Sequence, residues 1–268
     1  MVISLYVEEY GRGSTPLLLL HGLGGGVSTW QEVANLLSPD HHVLVPDLLG
    51  FGRSPWPDAE YTVDDHLAAL EGLLEEHCLS SKPVNIAGHS MGAILAAEFA
   101  ARHPELVNGV ALVNFPYFHS GAEVGDIAER LGLLARLTVA DHWAARATCG
   151  VMCALRPVLI FLAPRFTRHV PASVARDALR HNFTSYSRTL QNVVVRHRTD
   201  PALAVLAERP VLLVHGEIDR VVPVGNVRAL AERYHKWRFE EIPSTGHLLP
   251  IEAPKRLASL LNTGFSRR

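Results

Sequence analysis

Val84-Asn85-Ile86-Ala87 runs directly into Gly88-His89-Ser90-Met91-Gly92, and an apolar helical pattern then continues to Arg102. The turn reads G-x-S-x-G between a β-rich run and a helix, which is the setting in which that pattern marks a nucleophile elbow. Such a turn holds its central residue in strained backbone geometry, and the glycines on either side remove Cβ atoms that would collide. Ser90 is therefore expected to project its hydroxyl above the end of a sheet. Backbone N–H groups and the positive end of the helix dipole would lie where an oxyanion forms. His89 adjoins Ser90, but adjacent residues at such a turn point apart, and it is read as packing beside the elbow.

Outward from this stretch, short β-rich runs alternate with helical patterns, the mark of a mostly parallel central sheet flanked by helices. Strands are predicted at Leu17 to Leu20, His42 to Pro46, Val84 to Ala87, Gly109 to Val113, Val211 to His215 and Arg238 to Ile242, with Ile3 to Glu8 pairing at the edge. Helices are predicted at Trp30 to Leu37, Val63 to Glu76, Gly92 to Arg102, Val227 to Arg233 and Pro254 to Leu261, with Thr62 capping the second. The rhythm breaks after Asn114. Phe115 to Leu206 shows mainly helical periodicity punctuated by Pro157, Pro164, Pro171 and Pro201, and arginines outnumber acids there. The division predicted is a core of residues 1–114 and 207–268 with a helical cap, 115–206, inserted in it.

The 268 residues are 48% hydrophobic and 19% charged, enough apolar side chain to exclude global disorder. A net charge of -2 lacks the basic excess that neutralises a phosphate backbone, so nucleic acid is not the expected partner. Three cysteines, Cys78, Cys149 and Cys153, suggest neither a disulfide framework nor a zinc finger. Met1 to Gly13 does not read as a secretory signal, and Gly150 to Pro164, broken by Arg156 and Pro157, is too short to span a bilayer. A cytoplasmic protein without stable membrane insertion is expected; its oligomeric state is not legible.

Leu17 to Leu20 leads into His21-Gly22-Leu23-Gly24-Gly25-Gly26, similar to loops that supply a second oxyanion donor. The hole expected is the N–H of Met91 with that of Leu23, Gly24 substituting if the loop is offset, while His21 orders the loop. After Val211 to His215 come Glu217 and Asp219. A carboxylate at a strand's end is placed to orient an imidazole, and Asp219 is the expected acid, with Glu217 as its competitor bracing a loop. Asn114, at another strand end, holds no charge. His247 follows the last strand in Ser244-Thr245-Gly246-His247 and can move a proton near neutral pH. The order Ser90, Asp219, His247 is a known triad order for strand-end residues.

These residues, with Asp47-Leu48-Leu49-Gly50-Phe51-Gly52-Arg53-Ser54, resemble the α/β-hydrolase superfamily over nearly the whole chain. The resemblance implies about eight strands, a cap at Phe115 to Leu206, a structural turn at Asp47 to Ser54, and neither metal nor organic cofactor. Serine at the elbow argues against the epoxide hydrolases and haloalkane dehalogenases, which use aspartate. Leu248 and Leu249 follow His247 where carbon–carbon bond hydrolases often carry tryptophan. The expected activity is hydrolysis of a small-molecule carboxylic ester with a small or medium, largely apolar acyl group, through an acyl-enzyme. A carbon–carbon bond hydrolase, lactonase, thioesterase or perhydrolase could use the same triad, and a hydrolase-fold receptor is the non-enzyme alternative. Gly24, Phe115, Tyr117, Phe118 and Leu248 are the expected substrate-binding residues, with Pro116 beside them. Trp143, Phe161, Phe166, Phe183 and Tyr186 are read mostly as internal packing of cap helices.

Overall fold

The computed structural model describes residues 3–80, 82–118, 150–166 and 170–266. Among the described residues seven strands form one sheet: β1 (Val7–Tyr10), β2 (Pro16–Leu20), β3 (His42–Pro46), β4 (Val84–His89), β5 (Val107–Val113), β6 (Val211–Gly216) and β7 (Arg238–Ile242). Their spatial order is β1-β3-β2-β4-β5-β6-β7, with only the β1–β3 pair antiparallel. The sheet is the mostly parallel one expected. Its first strand begins later than Ile3: the Tyr6 N–H is diverted to Ser54 Oγ, and although the Tyr6 carbonyl still accepts from Asp47 N–H in register, regular pairing starts at Val7 against Pro46.

Leu17 to Leu20 is apolar without alternation because both faces of the strand are covered, as parallel sheets require. Leu18 and Leu20 face one core with α2 (Val63–Glu76) and α3 (Met91–Arg102), while Leu17 and Leu19 face another with α1 (Gln31–Leu37) and the C-terminal helix at Pro254–Ser266. Helix α2 starts where its cap dictates: Thr62 Oγ1 accepts from Asp65 N–H and Asp65 returns the bond to Thr62 N–H. From β2 the chain passes to β3 on one side, then to β4 on the other. This reversal opens a crevice at the carboxyl ends of β2 and β4, where ligands of open α/β sheets bind.

Between β5 and β6 the described residues are helical: α4 (Arg156–Phe166), α5 (Ala172–Asp177), α6 (Phe183–Thr189), a π-helical turn at Leu190–Val195 and α7 (Asp200–Leu206). Residues 119–149, and with them Trp143, lie outside the described residues. The returning limb is tied to the sheet region by Gly52 N–H donating to Arg180 O at 2.7 Å and by a 2.6 Å contact of His197 Nε2 with Glu98 Oε1 on α3. Among the described residues no helix is long and apolar enough to cross a membrane.

Candidate active site

Ser90 sits between β4 and α3 at φ 53° and ψ -120°, a conformation L-residues rarely adopt. Its amide donates to Val113 O at 2.9 Å, which pins the turn to β5. Glycine is obligatory on both sides, since a Cβ at Gly88 would collide with the carbonyl of Gly92, and one at Gly92 with that of Leu20. Met91 heads α3, where first-turn amides lack intrahelical acceptors.

Three strand ends converge at Ser90. His247 Nε2 lies 3.0 Å from Ser90 Oγ, and its Nδ1 lies 2.8 Å from Asp219 Oδ2. With Asp219 accepting from Nδ1–H, Nε2 presents a lone pair to the serine hydroxyl. Asp219 follows β6, its side chain shut off from solvent; Oδ1 accepts from the amides of Val221 and Val222, and Oδ2 also accepts from Asn114 Nδ2 at 2.8 Å. Burial alone would push this carboxyl up, but the hydrogen bond and charge of His247, with the Val222 amide and His215, outweigh it and hold the pKa down at about 2. Glu217, two residues earlier, is exposed and accepts from Ser244 N–H at 2.9 Å. It holds the His247 loop from outside.

The loop after β2 turns tightly, with Gly25 N–H donating to Gly22 O at 3.0 Å and Gly24 at φ 69°. Leu23 and Gly24 are the central residues of this turn, and the positive φ calls for glycine at the second. Gly22 faces the elbow: a Cβ there would stand 3.2 Å from Ser90 Cβ. His21 is fully buried, donating from Nδ1 to Gly22 O at 2.8 Å and accepting Leu48 N–H on Nε2 at 2.9 Å. Burial depresses its pKa, so it stays a neutral brace. Asp47 accepts from Val27 and Arg53 amides at 2.7 and 2.8 Å and ties the same loop to the 47–54 turn.

The residues expected around the substrate are distributed differently. Phe115 is fully buried and stacks on Tyr117 with centroids 6.2 Å apart, which puts it in the core rather than on an open wall. Tyr117 and Phe118 line a small cleft of about 30 Å³ with Ile94, Val194 and His197, and the Tyr117 hydroxyl lies 3.0 Å from Asp200 Oδ1. Leu248 is partly exposed beside His247. Gly24 is roofed by Tyr186 of α6, whose ring would come within 3.3 Å of a Cβ at Gly24. Burial drives the Tyr186 phenol up to about 12. Sequence reading assigned Tyr186 to cap packing; its one local signal is the Asn182–Ser185 capping box that starts α6. Glu252 was also missed: its carboxylate accepts from Gly246 N–H at 2.5 Å and Leu248 N–H at 3.1 Å, flanking His247.

Strand order, elbow and convergent strand ends define the class, and the sequence matches the family described as the alpha/beta hydrolase fold over residues 15–254. The chain belongs to the α/β hydrolase fold family. It is 27% identical to a 2-hydroxy-6-oxo-6-(2'-aminophenyl)hexa-2,4-dienoic acid hydrolase of Metapseudomonas resinovorans, over 97% of this chain and 87% of that protein. It is 30% identical to the probable lysophospholipase BODYGUARD 4 of Arabidopsis thaliana over 78% of this chain, and spans about half (54%) of that protein's length. Among solved structures, a thermophilic esterase from Thermogutta terrifontis superposes with a TM-score of 0.73 at 22% identity, covering 97% of this chain and 92% of that one.

Proposed function

We propose that this hydrolase cleaves a carboxylic ester through an acyl-enzyme on Ser90. The observation that carries the reading is the chain Ser90 Oγ, His247, Asp219, at 3.0 and 2.8 Å. Ser90 Oγ attacks the ester carbonyl as its proton passes to His247 Nε2, and the ionised Asp219 stabilises the imidazolium that results. The tetrahedral oxyanion is received by the amides of Met91 and Leu23, with Gly24 adjoining. Collapse expels the alkoxide, which takes the proton from His247. Water, deprotonated by the same imidazole, then releases the acid and restores Ser90.

Residues 115–206 act in this reading as a cap over the crevice, and Tyr186, Leu248 and Gly24 contact the substrate, with Tyr117 and Phe118 at the root of the cap. An apolar wall rewards each buried methylene by about 0.8 kcal/mol, roughly fourfold in kcat/KM, until the space is full. Activity on p-nitrophenyl esters should therefore rise from acetate to a short or medium acyl chain and then fall. The same series run with thioesters and lactones identifies the leaving group. No turnover of any ester, thioester or lactone would overturn the reading.

The second reading, hydrolysis of a carbon–carbon bond in a vinylogous diketone, is favoured by the kinship to the Metapseudomonas resinovorans dienoic acid hydrolase. Turnover of such a diketone, with failure on all esters, would select it.

A further inference from the structure

His89 precedes the nucleophile in sequence, yet its ring serves another residue. Nε2 lies 2.7 Å from the backbone carbonyl oxygen of His247. A carbonyl only accepts, so Nε2 carries the proton, and the neutral form of the ring is the Nε2–H tautomer. Nδ1 is buried without a hydrogen-bond partner and faces Gly22, where a Cβ would stand 3.0 Å from it. The ring is 3% exposed and 5.1 Å, centroid to centroid, from the ring of His247. It is wedged between the oxyanion turn and the loop that carries the base.

The other bonds to that loop come from elsewhere. Glu252 holds the amides of Gly246 and Leu248, Glu217 holds that of Ser244, and Asn114 Nδ2 reaches Gly246 O at 3.3 Å. The His89 bond alone among these starts from the residue next to Ser90 and ends on the peptide of His247. It therefore links nucleophile and base through one rigid ring. We infer that His89 is a positioning residue for His247, keeping its imidazole in line with Ser90 Oγ by donating one N–H to the carbonyl of His247 itself. This rests on the reading of Ser90, Asp219 and His247 as a triad. Burial first, and the neighbouring His247 second, push the His89 pKa down to about 3. The ring thus stays neutral while His247 takes up its proton, and no second cation opposes the imidazolium.

The test compares His89→Leu, which removes the donor, with His89→Gln, whose side-chain amide N–H can reach the same carbonyl. Two quantities are read: steady-state kinetics on the best ester, and the second-order rate of Ser90 phosphonylation by a fluorophosphonate. His89→Leu should lower kcat and the phosphonylation rate by ~10- to 100-fold, the cost of a misplaced proton acceptor, with KM within about twofold. His89→Gln should recover most of the loss. On a His247→Ala background, His89→Leu should add no further loss, because the residue it acts through is gone. Nitrogen-15 NMR of the wild type, which needs no variant to fold, should find His89 as the neutral Nε2–H tautomer from pH 5 to 8. Wild-type rates in His89→Leu, an equal further loss on the His247→Ala background, or an Nδ1–H tautomer would overturn the positioning role while leaving the triad standing. A wild type that fails to react with the fluorophosphonate would overturn the triad reading and this inference with it.

Discussion

Asp219 and Glu217 are two residues apart at the end of β6, and their partners separate them. Asp219 accepts from His247, Asn114 and two amides, whereas Glu217 accepts from Ser244 N–H at the surface. Asp219→Asn should keep the fold but misorient His247 and remove the charge that stabilises its cation, a loss of up to ~10⁴-fold in kcat. Glu217→Gln should cost less than about tenfold, since the amide oxygen still accepts from Ser244. Steady-state kinetics on one ester decide between them, and reversed effects would make Glu217 the acid. The convergence of Ser90, Asp219 and His247 was legible because each follows a recognisable strand, in an order that carries meaning. Glu252 and Tyr186 were not, because a carboxylate or a ring on a short helix has no local signal for the loop it meets. His89 was read as a packing residue; its bond to a peptide 158 positions away leaves no trace in spacing.

The elements are decided by backbone needs that glycine alone meets and by caps. Gly88→Ala would drive a Cβ into the carbonyl of Gly92 and should destabilise the protein by more than ~3 kcal/mol, or abolish folding, because the atoms it meets, in Gly92 and Ala93, are all backbone and have no flexible end to give. Gly225→Ala is the control. It lies in the helix Val224–Arg233 with nothing within 4 Å of its added Cβ, and should gain about 0.5 kcal/mol from helix propensity. Urea melts of both variants check the contrast. At α6, Tyr186→Ala should lengthen the preferred acyl chain if the ring over Gly24 bounds the pocket, and an unchanged chain-length profile would remove Tyr186 from the wall. Strand positions were readable because covered strands are continuously apolar. The edge strand was misplaced because Ile3 to Tyr6 has a strand-like composition while the amide of Tyr6 is claimed by Ser54 Oγ. The helical character of the described residues between β5 and β6 was legible from the change of period. What their aromatic side chains touch was not, since helical periodicity gives a face but no partner.

Across the whole molecule, several histidines are kept neutral by burial. Burial sets His66 at about 4 and His89 at about 3, and it lowers His21 and His215 as well. The unfolded chain protonates these rings near pH 6.5, so as pH falls below that value the unfolded state binds protons that the native state refuses. His66 and His89 should each forfeit about 1.4 kcal/mol of stability per pH unit until their own folded values are reached. Asp219 acts in a lower window: its depressed carboxyl favours the native state above about pH 4, and that gain disappears as pH falls through about 2. Stability measured by urea melts should therefore drop steeply between pH 6.5 and 4. His66→Gln should reduce the slope by about one proton, and a flat profile over that range would contradict the buried neutral state.

Fluorophosphonate labelling followed by digestion and mass spectrometry tests whether Ser90 is the acyl-accepting nucleophile, the role proposed for it. The expected result is a single adduct on the peptide carrying Ser90, with label and turnover both lost in Ser90→Ala while its melting temperature stays that of the wild type. An adduct on another serine, or full turnover by Ser90→Ala, would contradict that role.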